Sequence, residues 1–312
     1  MVRTALTAHG LILVNKPRCI TSHAVVDKIR SLFKVKKVGH FGTLDPGAEG
    51  LLLIGIGKAT KFFDFYIKKK KLYSGTITFG YATTTYDTEG EPLGDPQPID
   101  LRTTDINRLL EKFKGKQKQF PPIYSAKKFK GRPLYKYARE NKTDGINIKP
   151  VEVEIFSLEG KIIDETHLWF RAETSSGTYI RSLAHEMGQE LGVGAFLEEL
   201  RREGVGEFPL EKAFTLEQIA AYVKTGEISG VVTPIEALLP EFPKIIVSPG
   251  GRRTVLNGGP LLPGDVVKII SPQDPEKNSE YFRLFDDEGK LLGLASRALK
   301  MMQFKPYIVF PA

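Results

Sequence analysis

Strands interleaved with helices, followed by a separate small β-rich unit, form the architecture this sequence predicts. Three observations lead there. Short apolar runs bounded by glycine, proline or charge recur as strand candidates. Between them lie stretches whose apolar residues fall at three- and four-residue spacing, the mark of a helix with one buried face. From Pro240 onward proline and glycine become frequent, and the apolar runs that remain are short. A chain of 312 residues with 41% apolar and 26% charged content can bury a substantial core and hold one large domain or two. The expected division is 1–240 and 241–312.

GLILVN, Gly10 to Asn15, predicts a buried strand. Thr21 or Ser22 then offers an N-cap. Val25, Val26, Ile29, Leu32 and Phe33 follow at helical spacing, so a helix starts there. Lys34 to Pro46 lacks a period and is rich in glycine, which predicts a loop. Leu51 to Ile56 predicts a second strand. YSGTITFGY, with Tyr73, Ile77 and Phe79, predicts a third, followed by a turn-forming acidic segment, YDTEGEPLGDPQP. Ile106, Leu109, Leu110 and Phe113 predict a helix. A basic stretch from Tyr124 to Lys142 follows Pro121 and Pro122. Val151, Val153 and Ile155 alternate, as do Leu168 and Phe170, giving two more strands. Two helices are expected next, one carrying Ile180, Leu183, Ala184 and Met187, the other Phe196, Leu197 and Leu200. Thr215 and Gln218 form a capping-box pattern before Ile219 and Tyr222. In the tail, the runs at Ile245, Val266, Tyr281 and Leu291 are strand candidates.

The formal net charge of +8 fits an acidic partner such as nucleic acid or an anionic membrane surface. Cys19 is the one cysteine, which excludes an intramolecular disulfide and a secreted disulfide scaffold. The apolar run near the start is ended by Lys16 and Pro17, too soon for a signal-peptide core or a membrane span. A soluble cytoplasmic chain is expected.

The densest chemical signal is KVGHFGTLDPGAEGLLLIGIGKATK, Lys37 to Lys61. A phosphate-binding loop would need glycine where Leu52 stands and Ser or Thr where Ala59 stands, so that pattern fails twice. His40 and Asp45 have no further ligand at metal spacing, and HEM at His185 lacks the second histidine of a zinc helix, so no metal is expected. A third reading is one catalytic carboxylate on a loop. Pro46 biases Asp45 toward extended backbone, and Gly39, Gly42, Gly47 and Gly50 allow close approach or unusual dihedrals. The residues alone leave open that Asp45 only makes an Asx-turn hydrogen bond. In SSGTYIRSLAHEMG, Tyr179 and Arg181 stand at a helix start, where the arginine either pairs with a carboxylate or phosphate or is solvated. In KKKKLYSG, four lysines beside Tyr73 suit phosphates next to a stacking aromatic, or a solvated face beside a core tyrosine.

Together these segments resemble the bacterial tRNA pseudouridine synthase B family over nearly the whole chain. NKPRCITSHAVVDKIR is similar to its first motif, and GHFGTLDPGAEGLL with GKATK to its catalytic motif. KLYSG is similar to its tyrosine motif, SSGTYIRSLAHEMG to its arginine motif, and FLEELRREGVGEF to its Leu-Arg-Arg segment. One departure is Cys19, where the family usually has glycine; a stiffer loop is expected there. The resemblance implies an α+β catalytic domain with a mixed, largely antiparallel sheet and a central cleft, followed by a small PUA-like RNA-binding domain. It implies conversion of a T-loop uridine of tRNA, uridine 55, to pseudouridine by base flipping. Asp45 would be the nucleophile, with Tyr73 stacking on the base, Arg181 pairing with the carboxylate, Leu200 walling the pocket, Tyr179 beside it and His40 near the flipped nucleotide. Lys16, Lys58, Lys61, Lys69, Lys70, Lys127, Lys128 and Arg132 would contact the RNA backbone, the last three from an insert over 124–145 that closes on it. No cofactor, metal, membrane or protein partner is implied, and a monomer is expected. Rivals are a non-catalytic RNA-binding protein, an RNA methyltransferase and, nearest, a related synthase acting on another RNA. The second would need a glycine-rich donor loop after a strand, and none is found.

Overall fold

Strands from the first 234 residues assemble into one ten-stranded sheet in a computed structural model that describes residues 9–125, 127–140, 148–272, 279–297 and 303–311. Its main strands are β1 (Gly10–Lys16), β2 (Val38–His40), β3 (Glu49–Ile56), β4 (Lys71–Phe79), β5 (Gly115–Gln119), β6 (Val151–Ile162), β7 (His167–Thr174) and β8 (Ala195–Val205). From one edge the order is Thr233–Pro234, β1, β3, β8, β4, β7, β6, β5, with β2 beside β3. The pairings are antiparallel except one. β8 meets β3 in parallel through Arg201↔Glu49 and Arg202↔Gly50. That short joint divides the sheet into a β1–β3 half and a β4–β8 half.

Each half has its own core. Helix α1 (Ser22–Phe33) is capped by Thr21, whose hydroxyl accepts from the Ala24 amide. It buries Val25, Val26, Ile29 and Phe33 against Ile12, Val14, Leu52 and Ile54. The alternate residues Leu11, Leu13, Leu51 and Leu53 face the opposite way, into a cluster with Phe41 and Phe62. Strands covered on both faces are apolar throughout, which is why these two were legible as unbroken runs. On the other half, α2 (Ile106–Lys112) and α3 (Ile180–Glu190) bury Leu109, Leu110, Leu183 and Met187 against Ile77, Phe79, Leu168 and Phe170. Helix α4 (Leu216–Thr225) starts at the expected capping box, with Thr215 and Gln218 bonded reciprocally.

A second, five-stranded sheet follows, built from β9 (Lys244–Val247), β10 (Val266–Ile270), β11 (Tyr281–Phe285), β12 (Leu291–Arg297) and β13 (Phe304–Val309), in the order β10, β9, β11, β12, β13. Helix α5 (Pro249–Leu256) and strand β13 had no forecast. The α+β class with a mixed, mainly antiparallel sheet is as expected.

Two expectations are corrected. Phe196, Leu197 and Leu200 lie on strand β8, not on a helix. A bulge between Leu197 and Glu199 adds one residue against β4, so Leu197 and Leu200 reach the same core at a helical spacing of three. The segment 34–46 is also not all loop, since Val38–His40 pairs with β3. In the basic insert, Lys128–Phe129 and Arg132–Pro133 pair as a hairpin before a short helix, Leu134–Arg139. Residues 1–8, at the start of the first apolar run, and residues 126 and 141–147 of the insert lie outside the described residues. Among the described residues, no helix is long and apolar enough to cross a membrane.

Candidate active site

Asp45 stands on the loop that joins β2 to β3, over the joint between the half-sheets. Buried side chains hold that loop by its backbone. Ser22, 2% exposed, accepts from the Leu44 amide and donates to the Leu44 carbonyl, both at 2.8 Å. Arg202, 1% exposed, donates to the carbonyls of Gly42 (3.1 Å), Thr43 (3.3 Å) and Leu51 (2.7 Å). The Cys19 amide donates to the Pro46 carbonyl at 2.9 Å. Cys19 has φ +66°, the left-handed region a glycine would occupy at no cost. Gly50 is required for a different reason. It has φ +100°, and a Cβ there would lie 2.4 Å from the Arg202 carbonyl oxygen. Gly42 also has positive φ, but at Gly39 a Cβ would meet nothing within 4 Å, so the expected close approach does not apply to every glycine of the motif.

Arg181 leaves the first turn of α3, just after Tyr179 at the cap position. Gln119 on β5 fixes that turn, accepting from the Tyr179 amide at 2.8 Å and donating to its carbonyl at 3.0 Å. The guanidinium is 6% exposed. Its Nε lies 2.9 Å from Asp45 Oδ2, and its Nη1 lies 3.4 Å from Asp87 Oδ2. It also donates to the carbonyls of Thr85 at 3.1 Å and Tyr124 at 2.8 Å. A planar fork with five donors suits this set of acceptors, and two carboxylates compensate the buried charge. Asp87 was not foreseen; its segment was legible only as a turn. Tyr86, at φ +64°, turns the chain there, and its ring stacks on His185 with centroids 3.8 Å apart.

Asp45, Tyr73, Tyr179, Arg181 and Leu200 line one cavity of about 400 Å³, together with Lys71 and Arg202. Tyr73 comes from β4 and Leu200 from β8, which pair with Leu200 opposite Gly75. Burial pushes the Tyr179 hydroxyl above its ordinary pKa, so it is neutral at physiological pH. His40 is separate. It lines a neighbouring cavity of about 470 Å³ that shares Asp45 and Arg181 with the first. Burial, then the nearby Arg202 charge, lowers its pKa, so the ring is a neutral imidazole whose buried Nδ1 has no hydrogen-bond partner among the described residues.

The basic residues are dispersed. Lys16 is 0% exposed, and its ammonium donates to the carbonyls of Pro17, Ile20 and Pro46 at 3.0, 2.9 and 3.3 Å. Burial lowers its pKa to about 8. It braces the Asp45 loop from inside, which corrects its expected place on a phosphate. Lys58 and Lys61 donate to the carbonyls of Pro311 (3.0 Å) and Val309 (2.7 Å), at the end of β13. Lys69 pairs with Glu207 and Glu241, and Lys70 with Glu173. Lys127 donates to the Lys149 carbonyl at 2.9 Å, and Arg132 pairs with Glu140. The Lys128 side chain lies outside the described residues.

Residues 30–180 match the model for the TruB family pseudouridylate synthase N-terminal domain, and residues 181–240 that for the tRNA pseudouridylate synthase B C-terminal domain. The chain is 41% identical over 300 residues to tRNA pseudouridine synthase B of Solibacter usitatus, covering 96% of this chain and 99% of the relative. It is 39% identical over 287 residues to the protein of that name from Thermotoga petrophila, covering 92% and 89%. A solved Cbf5-Nop10-Gar1 complex shares the fold, with a TM-score of 0.72 and 24% identity over 97% of this chain and 86% of that one. The chain therefore belongs to the tRNA pseudouridine synthase B family.

Proposed function

We infer that this chain isomerises a uridine of tRNA to pseudouridine, and that its target is uridine 55 of the T-loop. One observation supports this above the others. The Asp45 carboxylate is held 2.9 Å from a buried arginine, in the wall of a cavity that Tyr73 and Leu200 also line. The reaction breaks the bond from the ribose C1′ to N1 and forms a bond from C1′ to C5 of the same ring. C5 loses a proton and N1 gains one, so the change has no redox step. A stacked base must leave the RNA to reach such a pocket, and an aromatic face replaces the lost stacking.

In this reading Asp45 is the nucleophile and Arg181 aligns it through their 2.9 Å contact. Tyr73 stacks on the base, Leu200 walls the pocket, Tyr179 packs beside the base, and His40 sits by the space the flipped nucleotide vacates. Lys127, Lys128 and Arg132 carry the insert onto the RNA backbone, and residues 241–312 form a second, PUA-like RNA-binding domain. Incubation with an unmodified T-arm stem-loop, followed by pseudouridine mapping, tests the activity. Tight binding without conversion would favour a non-catalytic RNA-binding protein. A complex trapped on a T-arm carrying 5-fluorouridine would show what lies against Asp45.

A further inference from the structure

We propose that Ser22 is a positioning residue for Asp45. This rests on the reading of Asp45 as the nucleophile. An aspartate side chain is short, so its backbone largely decides where the carboxylate points. The residue before it, Leu44, has both its amide and its carbonyl engaged by the one Ser22 hydroxyl, at 2.8 Å each. A hydroxyl can accept and donate at once, whereas an alanine can do neither. Ser22 is 2% and Leu44 4% exposed, so these bonds are shielded although both residues border the His40 cavity.

The division of labour at the start of α1 supports the assignment. Thr21 caps the helix by accepting from the Ala24 amide at 3.0 Å. Ser22, the first helical residue, is thereby released from capping and turns to the loop. Its helix is anchored by Val25, Val26, Ile29 and Phe33, all 2% exposed or less. The hydroxyl thus ties the Asp45 loop to a rigid element. Lys16 and Arg202 hold other points of the same loop, Pro46 on one side and Gly42 and Thr43 on the other. Ser22 holds the residue adjoining Asp45 on its N-terminal side.

The test compares Ser22→Ala, Ser22→Thr and Thr215→Ala, the last removing a cap that bonds only within its own helix turn, as a control for stability loss. Ser22→Ala should slow single-turnover pseudouridine formation about 30-fold, with T-arm RNA affinity within about twofold of wild type. Ser22→Thr, which keeps the hydroxyl, should recover most of the rate, and Thr215→Ala should leave it unchanged. A second readout does not need activity. The Ala48 amide, which donates to the Asp45 carbonyl at 3.1 Å and does not touch Ser22, should exchange its hydrogen at least about tenfold faster in Ser22→Ala. If wild type makes no pseudouridine, the catalytic reading fails while this exchange still decides whether Ser22 sets the loop. A folded Ser22→Ala protein with wild-type turnover, or with unchanged Ala48 exchange, overturns the proposal. Should Ser22→Ala not fold, Ser22→Cys, of near-equal size and weaker bonding, carries the same two readouts and the same refuting results.

Discussion

Replacing Arg181 with methionine keeps most of the side-chain volume and removes every donor. The guanidinium is 6% exposed and bonds Asp87, at 3.4 Å, and the carbonyls of Thr85 and Tyr124, so those acceptors lose a buried partner. Breaking one side of a buried charged set costs about 3 kcal/mol. The Asp45 contact adds little to that figure, because its carboxylate is 42% exposed and screened by water. A loss of about 3 kcal/mol lowers the melting temperature by roughly 5 °C, which leaves the variant folded at 25 °C. The catalytic effect is separate. Asp45 loses the cation 2.9 Å away that aligns it, and an unaligned nucleophile with an uncompensated neighbouring carboxylate should turn over about 1,000-fold more slowly, or about 4 kcal/mol in barrier. The assay is single-turnover conversion of a T-arm stem-loop at saturating enzyme, with RNA affinity measured in parallel. Affinity should change less than about threefold, because a side chain this buried presents no charge to phosphates. A rate within tenfold of wild type, or a loss expressed mainly in affinity, would refute the reasoning.

Asp45→Asn keeps shape and should fold with a near-wild-type melting temperature, yet convert less than about 0.1% as fast; residual turnover near wild type would remove Asp45 from the chemistry. Burial pushes the Glu186 carboxyl on α3 up to about 7 from its ordinary 4.5. The folded state therefore keeps this proton longer than the unfolded chain, and the stability it contributes is present below pH 4.5 and lost as pH rises through 7. Glu186→Gln should then gain on wild type between those values, by about 1 kcal/mol at pH 8 after allowance for solvent screening; equal melting-temperature differences at pH 5 and pH 8 would contradict this. Gly50→Ala should cost more than about 3 kcal/mol in urea unfolding, since its Cβ would lie 2.4 Å from a backbone oxygen in the joint; a wild-type midpoint would show that the joint can open at no cost.

The parts of this fold written in local pattern were legible. Thr215 with Gln218 and the spacing Val25, Val26, Ile29, Phe33 mark helices because the cap and the buried face act within one or two turns. Strand β8 was missed because a bulge lent it a helical period, and only its pairing with β4 and β3 makes it a strand. The site divides in the same way. Asp45, Tyr73 and Arg181 were found through their motifs, but their meeting in one cavity depends on a sheet order that no local pattern encodes. Asp87 carried no signal, since an acidic turn reads alike whether it faces water or a buried arginine. Lys16 misled for the converse reason. The family resemblance implies an RNA-backbone contact for it, yet the end of β1 turns it inward, onto three carbonyls.

The parallel joint between β3 and β8 has a mechanical consequence. The molecule behaves there as two plates butted along a weld two residue pairs long, Arg201 with Glu49 and Arg202 with Gly50. Asp45 is carried by the loop that enters β3 on one plate, but its neighbours Leu44 and Ala48 pack into the core of the other, with Tyr73 and Leu197. Slip of one plate past the other by about 1 Å would stretch the 2.9 Å Asp45–Arg181 contact beyond hydrogen-bonding range and would also have to drag Leu44 and Ala48 through that packing. Arg202, bonded to carbonyls on the opposite plate, acts as the rivet against that slip. A small fault along the weld reaches the carboxylate through the loop whose carbonyls Arg202 grips.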